Sequence, residues 1–219
     1  MVLVYWADPE VWVFPVELPT MVWWIPPRCH FPDPLLGFHL VELLLKDKII
    51  GLFTGRMEYG PRALRARSII MQATDSEINK TVNKRLNRTE FMPFAPFTLI
   101  ENANEMYLNF DSSDINLKHM TTCYDCTEKM KKISPAVVHV DGTARPQLID
   151  KNIGIDLYYS ILKAYFDKTG IPNLVNTSFN NHEEPIVCHP NDALDSLAKN
   201  NVDYIVNDSN MIITIQNRS

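Results

Sequence analysis

Three groups of residues in this 219-residue sequence combine types and spacing suited to chemistry. The run Gly55-Arg-Met-Glu-Tyr-Gly-Pro-Arg-Ala-Leu64 sets Arg56 and Arg62 on either side of a Gly60-Pro61 turn. A planar guanidinium matches phosphate or carboxylate oxygens with two parallel hydrogen bonds, so a turn that converges two of them predicts an anion site. Arg67, Lys80, Lys84 and Arg88 extend the series: residues 51–90 hold eight basic against four acidic side chains, in a chain whose net charge is −5. The alternative is a solvated basic face paired with Glu58 and Asp75, since most charge runs are exposed. The second group is His139-Val-Asp141-Gly-Thr-Ala-Arg145, where a glycine turn brings Asp141 near Arg145. His139 there is either a proton shuttle, because imidazole titrates near neutrality, or a hydrogen-bonding group of the pocket wall. The third is Asn176-Thr-Ser178-Phe-Asn180. Polar residues presented at the ends of neighbouring strands are the usual way an α/β sheet builds a ligand site.

The elements that position these groups follow from hydrophobic periodicity. Residues 38–47 read as a helix, 49–53 as a buried strand and 67–72 as another. Thr74-Asp-Ser-Glu77 has the spacing of a capping box, opening a helix with Ile78, Val82 and Leu86 on one face and Lys80 and Lys84 pointing elsewhere. Strands are expected at 97–100 and 136–140, separated by a polar surface excursion over 101–132. A helix over 155–168 stops at Gly170, a strand covers 174–176, Pro190 opens a further helix, and 204–206 pairs with 211–215 as a hairpin. Residues 1–37 differ in texture. They hold all four tryptophans and seven of the 15 prolines, which predicts an extended or polyproline-like aromatic arm preceding a domain at 38–219.

Composition excludes several classes. Hydrophobic residues at 46% and charged residues at 21% describe a folded globular chain. The negative net charge provides no global field for nucleic acid or an anionic membrane. No uncharged apolar run reaches membrane-spanning length. Four cysteines are too few for a disulfide scaffold, so a cytoplasmic setting is expected. Cys123-Tyr-Asp-Cys126 with His119 upstream invites a zinc reading, but a single Cys-x-x-Cys pair does not specify one and no metal site is assigned.

In order and spacing, the 55–64 run, Ala66-Arg-Ser-Ile, Pro93-Phe-Ala-Pro96, His139-Val-Asp-Gly-Thr-Ala-Arg145, Asn176-Thr-Ser-Phe-Asn180 and Glu184-Pro-Ile-Val-Cys188 resemble the C-terminal domain of the NodU/CmcH carbamoyltransferases. The resemblance covers roughly residues 38–208. It implies a YrdC-like α/β fold, a twisted mixed sheet with flanking helices and a concave ligand-binding face. It implies that the domain binds ATP with Mg²⁺ and carbamoyl phosphate, and forms carbamoyl adenylate for O-carbamoylation of a hydroxyl acceptor. Transfer would need a metal-binding N-terminal domain that these residues do not contain. The alternative is a catalytically silent nucleotide- or anion-binding module.

The resemblance also implies roles. Arg56, Arg62, Arg67 and Arg88 fall to the phosphates, Arg145 to the carbamoyl or phosphate group, and Asn176 and Ser178 to the carbamoyl or adenylate moiety. Lys80 or Lys84 would neutralise the leaving group, and His139 would line the site. Asp141 would orient Arg145 or contact the metal. Arg62, Arg145 and Ser178 would be the catalytic set, with Ser178 acting by hydrogen bonding and not as a nucleophile. Two positions depart from the family pattern: Arg65 stands where glycine is usual, and Met92 where arginine is common.

Overall fold

A central sheet forms because its inner strands are buried over most of their length and so covered on both faces. The computed structural model describes residues 2–6, 34–88, 93–113, 115–151, 157–207 and 211–215. The strands are β1 (Val2–Trp6), β2 (Ile50–Phe53), β3 (Ser68–Gln72), β4 (Ala95–Leu99), β5 (Tyr124–Asp125), β6 (Thr143–Ala144), β7 (Gln147–Ile149), β8 (Asn173–Ser178), β9 (Tyr204–Asn207) and β10 (Met211–Ile215). Eight of them make one sheet in the order β1-β10-β9-β2-β3-β8-β4-β7, and β5 pairs with β6 separately. The sheet is mixed: β2 runs parallel to β9 and β4 parallel to β7, with the remaining pairs antiparallel. Every residue of β3 and of β4 is buried, as continuous runs such as Ser-Ile-Ile-Met-Gln require.

Alternation along each strand divides the interior in two. Ile50, Leu52, Ile70, Leu174 and Val206 face the helices α1 (Pro34–Leu44) and α5 (Leu157–Thr169). Ile69, Met71, Val175 and Ile205 face the other side, with α2 (Ile78–Arg85) and α6 (Pro190–Ala198). Gly51 is needed for close approach, because a Cβ there would stand 2.6 Å from the Phe179 ring. The helix ends follow local chemistry. Gly170 adopts φ +72 and donates to the Phe166 carbonyl, closing α5. Pro190 opens α6, where the Asp192 carboxylate accepts from the amides of Cys188 and His189.

Three expectations fail for physical reasons. Residues 101–132 are exposed along much of their length, but they are not a loose surface excursion. Their short helices α3 (Ala103–Met106) and α4 (Glu128–Ile133) bury Ala103, Met106, Tyr107 and Met130 against the sheet. A buried polar chain fastens them: Thr98 Oγ1 meets the Tyr107 hydroxyl at 2.6 Å and donates to Asn173 Oδ1, and Asn173 Nδ2 donates to Ser134 Oγ. The apolar residues are too sparse, and the helices too short, to display a period. Residues 136–140 are not a strand either. Pro135 starts a 3-10 turn over Pro135–Val137, and the Ala136 amide is taken by the Ala73 carbonyl. The capping box at Thr74–Glu77 does not form. Glu77 itself occupies the cap position, but its carboxylate pairs with Lys80 and caps no amide of α2, and its own amide is held by Asp75.

Of the expected arm, Val2–Trp6 pairs antiparallel with β10 as the edge strand, and Pro34–Gly37 lies within α1. Residues 7–33, which contain three of the tryptophans and Cys29, lie outside the described residues, as does Met92. Among the described residues no helix is long and apolar enough to cross a membrane.

Candidate functional site

The strand register brings Ser68 opposite Ser178, Asn176 opposite Ala95, and Gln147 opposite Phe97, so one end of the sheet collects the polar residues of β3, β7 and β8. β2 also finishes there, and its chain continues into the loop 54–66. Gly55 at φ +50 and Gly60 at φ +140 provide the two backbone reversals that this loop needs. Its neck is closed by the Thr54 amide donating to the Ala66 carbonyl.

Polar side chains then hold the loop against the sheet. Glu58 Oε1 accepts from the amides of Leu64 at 2.9 Å and Ala66 at 2.5 Å. The Ala63 amide donates to Ser178 Oγ at 3.1 Å. Asn176 Nδ2 donates to Gln147 Oε1 at 2.8 Å, and Gln147 Nε2 donates to the Leu64 carbonyl. From α5 the Tyr158 hydroxyl donates to the Arg65 carbonyl and meets Thr54 Oγ1 at 2.9 Å. Arg67 is 4% exposed, donates to the carbonyls of Thr54, Gly55 and Ala66, and lies 3.7 Å over the Phe53 ring. Arg67, Asn176 and Ser178, expected to meet a ligand, therefore also build the platform under the arginine loop. Arg65 has no positive φ, so its backbone does not need the glycine usual in the family pattern.

Other guanidinium groups are arranged differently. Arg62 and Arg145 are half-buried and close enough that Arg62 helps push the Arg145 pKa down, after the larger effect of burial. Neither makes an ion pair among the described residues, and the buried Nε of Arg145 has no hydrogen-bond partner. Two cations held together without a carboxylate are an arrangement that an anion stabilises. Buried Ser68 Oγ and Asn176 Oδ1 are unpartnered at the same end of the sheet. Arg88 donates to Thr177 Oγ1 at 3.1 Å and to the Ser178 carbonyl, and burial pushes its pKa down to about 10. Arg56 is exposed on the loop.

Beside Arg145 the chain turns tightly at 139–143, with Gly142 at φ +83. The His139 amide donates to the Thr143 carbonyl, and Asp141 Oδ1 accepts from both the amide and the hydroxyl of Thr143. Asp141 thus organises the turn and makes no ion pair with Arg145 among the described residues. Lys80 and Lys84 are exposed on α2; Lys80 pairs with Glu77 at 2.8 Å, and no contact described here joins either lysine to the arginine loop. Cys126 is buried with its thiol pushed up to about 11, Cys123 is exposed, and no three metal-ligating side chains come together among the described residues.

Sequence reasoning missed Glu58, Gln147, Tyr158 and Thr143 as parts of the site. Glu58 takes the backbone amides of Leu64 and Ala66. Gln147 did leave a signal, a polar residue opening the apolar strand Gln-Leu-Ile. Tyr158 left none, because its hydroxyl reaches the loop only through packing of α5.

Fold and site together define a mixed α/β domain whose sheet ends beneath a fastened loop and two arginines that no acid neutralises among the described residues. Comparison with known proteins gives the family. Residues 41–214 match the family described as Carbamoyltransferase C-terminus, and the chain belongs to it. An uncharacterized protein of Methanocaldococcus jannaschii is 39% identical over 165 residues, covering 75% of this chain and 31% of that one. The nodulation protein NolNO of Sinorhizobium fredii is 37% identical over 172 residues (78% and 25%), and NolO of Bradyrhizobium diazoefficiens 35% over 166 residues (75% and 30%). The chain thus spans under a third of the length of these relatives. Among solved structures, HypF of T. kodakarensis superposes with a TM-score of 0.52 at 17% identity, covering all of this chain and 24% of HypF. Full-length HypF in its phosphate- and nucleotide-bound form gives 0.51 at 17% identity, covering 84% and 24%. At such identity the likeness is one of fold.

Proposed function

We propose that this domain binds ATP and carbamoyl phosphate at the arginine-lined end of the sheet and forms carbamoyl adenylate, which a further domain or subunit uses to carbamoylate a hydroxyl group. The observation that carries the reading is the neighbouring pair Arg62 and Arg145, without an acidic partner among the described residues and with a buried unpartnered Nε on Arg145. The family membership supports it, as does the fold shared with a protein solved with phosphate and nucleotide bound.

The reaction balances as ATP, carbamoyl phosphate and water giving carbamoyl adenylate, pyrophosphate and phosphate. Water first cleaves carbamoyl phosphate into carbamate and phosphate; a carbamate oxygen then forms the new bond to the α-phosphorus as the bond to pyrophosphate breaks. Such displacements depend on positioning and charge neutralisation, which pre-placed guanidinium groups supply without reorganising. Arg62 and Arg145 bind the phosphoryl oxygens, and exposed Arg56 meets the outer phosphates. The platform of Glu58, Gln147, Asn176, Ser178 and Tyr158 keeps Arg62 in place. Arg88 holds the end of β8 through Thr177 and Ser178. Mg²⁺ would arrive on the ATP phosphates, which supply most of its oxygen ligands and need no dedicated protein cage.

The test is pyrophosphate release by the purified chain with Mg²⁺, ATP and carbamoyl phosphate, alongside Arg62→Ala and a control without carbamoyl phosphate. Carbamoyl-phosphate-dependent release that disappears in Arg62→Ala is expected. ATP binding without release would replace this reading with that of a silent binding module, or of a half-site completed by another domain.

A further inference from the structure

The turn at 139–143 fixes the protonation of one ring nitrogen by elimination. Thr143 has a single hydroxyl proton, and it is directed at Asp141 Oδ1, 2.8 Å away. The Asp141 carboxyl is held below its usual range by the two bonds from Thr143, so it is ionised at neutral pH and can only accept. The hydroxyl oxygen must then act as acceptor toward its other neighbour, His139 Nδ1 at 3.1 Å. Nδ1 therefore carries the proton. In a neutral imidazole that leaves Nε2 as a bare lone pair. Burial first, with Arg145 adding to it, outweighs the opposing Asp141 carboxylate and holds the imidazole below its ordinary pKa and so in that neutral form. No hydrogen bond is made to His139 Nε2 among the described residues.

The guanidinium groups of Arg62 and Arg145 provide N–H and no acceptor; besides the buried Asn176 Oδ1 and Ser68 Oγ under the loop, the acceptor beside Arg145 is the His139 ring. A carbamoyl group differs from an acetyl group of the same shape by an amino group that donates. A site that prefers the former needs an acceptor where that amino group sits, and the His139 ring stands on the tight turn that leads directly into Arg145.

Resting on the reading of this site as one for carbamoyl phosphate, we propose that the chain Asp141–Thr143–His139 presents His139 Nε2 as the hydrogen-bond acceptor for the substrate's amino group, and so selects carbamoyl phosphate over acyl phosphates. His139 is then the specificity-determining residue. Thr143 is a positioning residue acting through it.

Two measurements test this. In the first, pyrophosphate release is compared between carbamoyl phosphate and acetyl phosphate. The preference in kcat/KM is expected to fall about tenfold or more in His139→Phe and Thr143→Val, and to return in Thr143→Ser, which keeps the hydroxyl. An unchanged preference in His139→Phe or Thr143→Val, with turnover of ATP retained, overturns the proposal while leaving the proposed function standing. The second needs no turnover and uses the wild-type chain: nitrogen NMR of the ¹⁵N-labelled histidine ring at neutral pH. A protonated Nδ1 with a bare Nε2 is expected, and a protonated Nε2 overturns the proposal even if the chain proves inactive alone. Absence of any pyrophosphate release, with the expected tautomer present, counts against the proposed function and not against the hydrogen-bond chain.

Discussion

Arg85 and Arg62 sit at opposite ends of the same sheet and are treated in opposite ways. Arg85 lies across Asp203 at 3.0 and 3.2 Å, and the same carboxylate takes the Ile49 amide at 2.8 Å. That end also has a cavity of about 400 Å³ lined by Lys48, Asn200, Asp203 and Tyr204, so a cavity by itself does not mark the site. At the other end Arg62 repels Arg145, and neither is neutralised by an acid among the described residues. Paired charge joins β9 to α2. Charge left without an acid among the described residues, at and beside a loop that many polar contacts fasten to the sheet, is positioned for an anion. Function is therefore read here from missing partners, and stability from satisfied ones.

Breaking the unpaired end should have the largest effect. Arg62→Ala or Arg145→Ala is expected to lower carbamoyl-phosphate-dependent pyrophosphate release by roughly 10²–10³, the scale of removing one pre-placed transition-state donor. The melting temperature should not fall, because each change relieves like-charge repulsion. Kinetics and a thermal melt on the same samples check both halves. Arg85→Ala should do the reverse, costing about 1–3 kcal/mol in urea unfolding, as expected when a charged hydrogen-bond partner is removed, with turnover unchanged. Loss of turnover without loss of stability in that variant would reverse the assignment of the two ends.

Smaller effects sharpen the comparison. Tyr158→Phe removes the hydroxyl that joins α5 to Thr54 and the Arg65 carbonyl. KM for carbamoyl phosphate should rise several-fold, with a stability change of about 1 kcal/mol, the net worth of one hydrogen bond. A loss of stability with no change in KM would show that the loop does not depend on this fastening. Acidification should produce the smallest shift. Burial and Arg145 depress the His139 pKa while Asp141 opposes them. The neutral ring therefore persists below the ordinary histidine value of about 6.5, and the bare nitrogen disappears only as pH falls through the lowered folded pKa. The carbamoyl-to-acetyl preference, measured from about pH 8 to about pH 5, should hold through pH 6.5 and weaken below it.

Much of this protein was legible in its residues. The strands at 49–53, 67–72 and 174–176, the helix ending at Gly170, and the hairpin of 204–206 with 211–215 all correspond to observed elements. The family followed from long motifs whose residue types and spacing survive in order. Short helices carrying one or two apolar residues each, as over 101–132, were not legible, because burial there is set by the sheet they land on.

Sequence by itself determined the alternating apolar pattern, the family, and the gathering of arginines near one turn, because these are properties of neighbours along the chain. Tertiary structure decided which polar residues face open space and which fasten the loop. Arg67, Asn176 and Ser178 look like ligand contacts in the sequence, yet their bonds support the arginine loop, whereas Arg62 and Arg145 are left near each other with no ion pair among the described residues. The physical reason is separation: Ala63 meets Ser178 across 115 residues and Arg88 meets Thr177 across 89, and no local pattern records which donors such contacts will take.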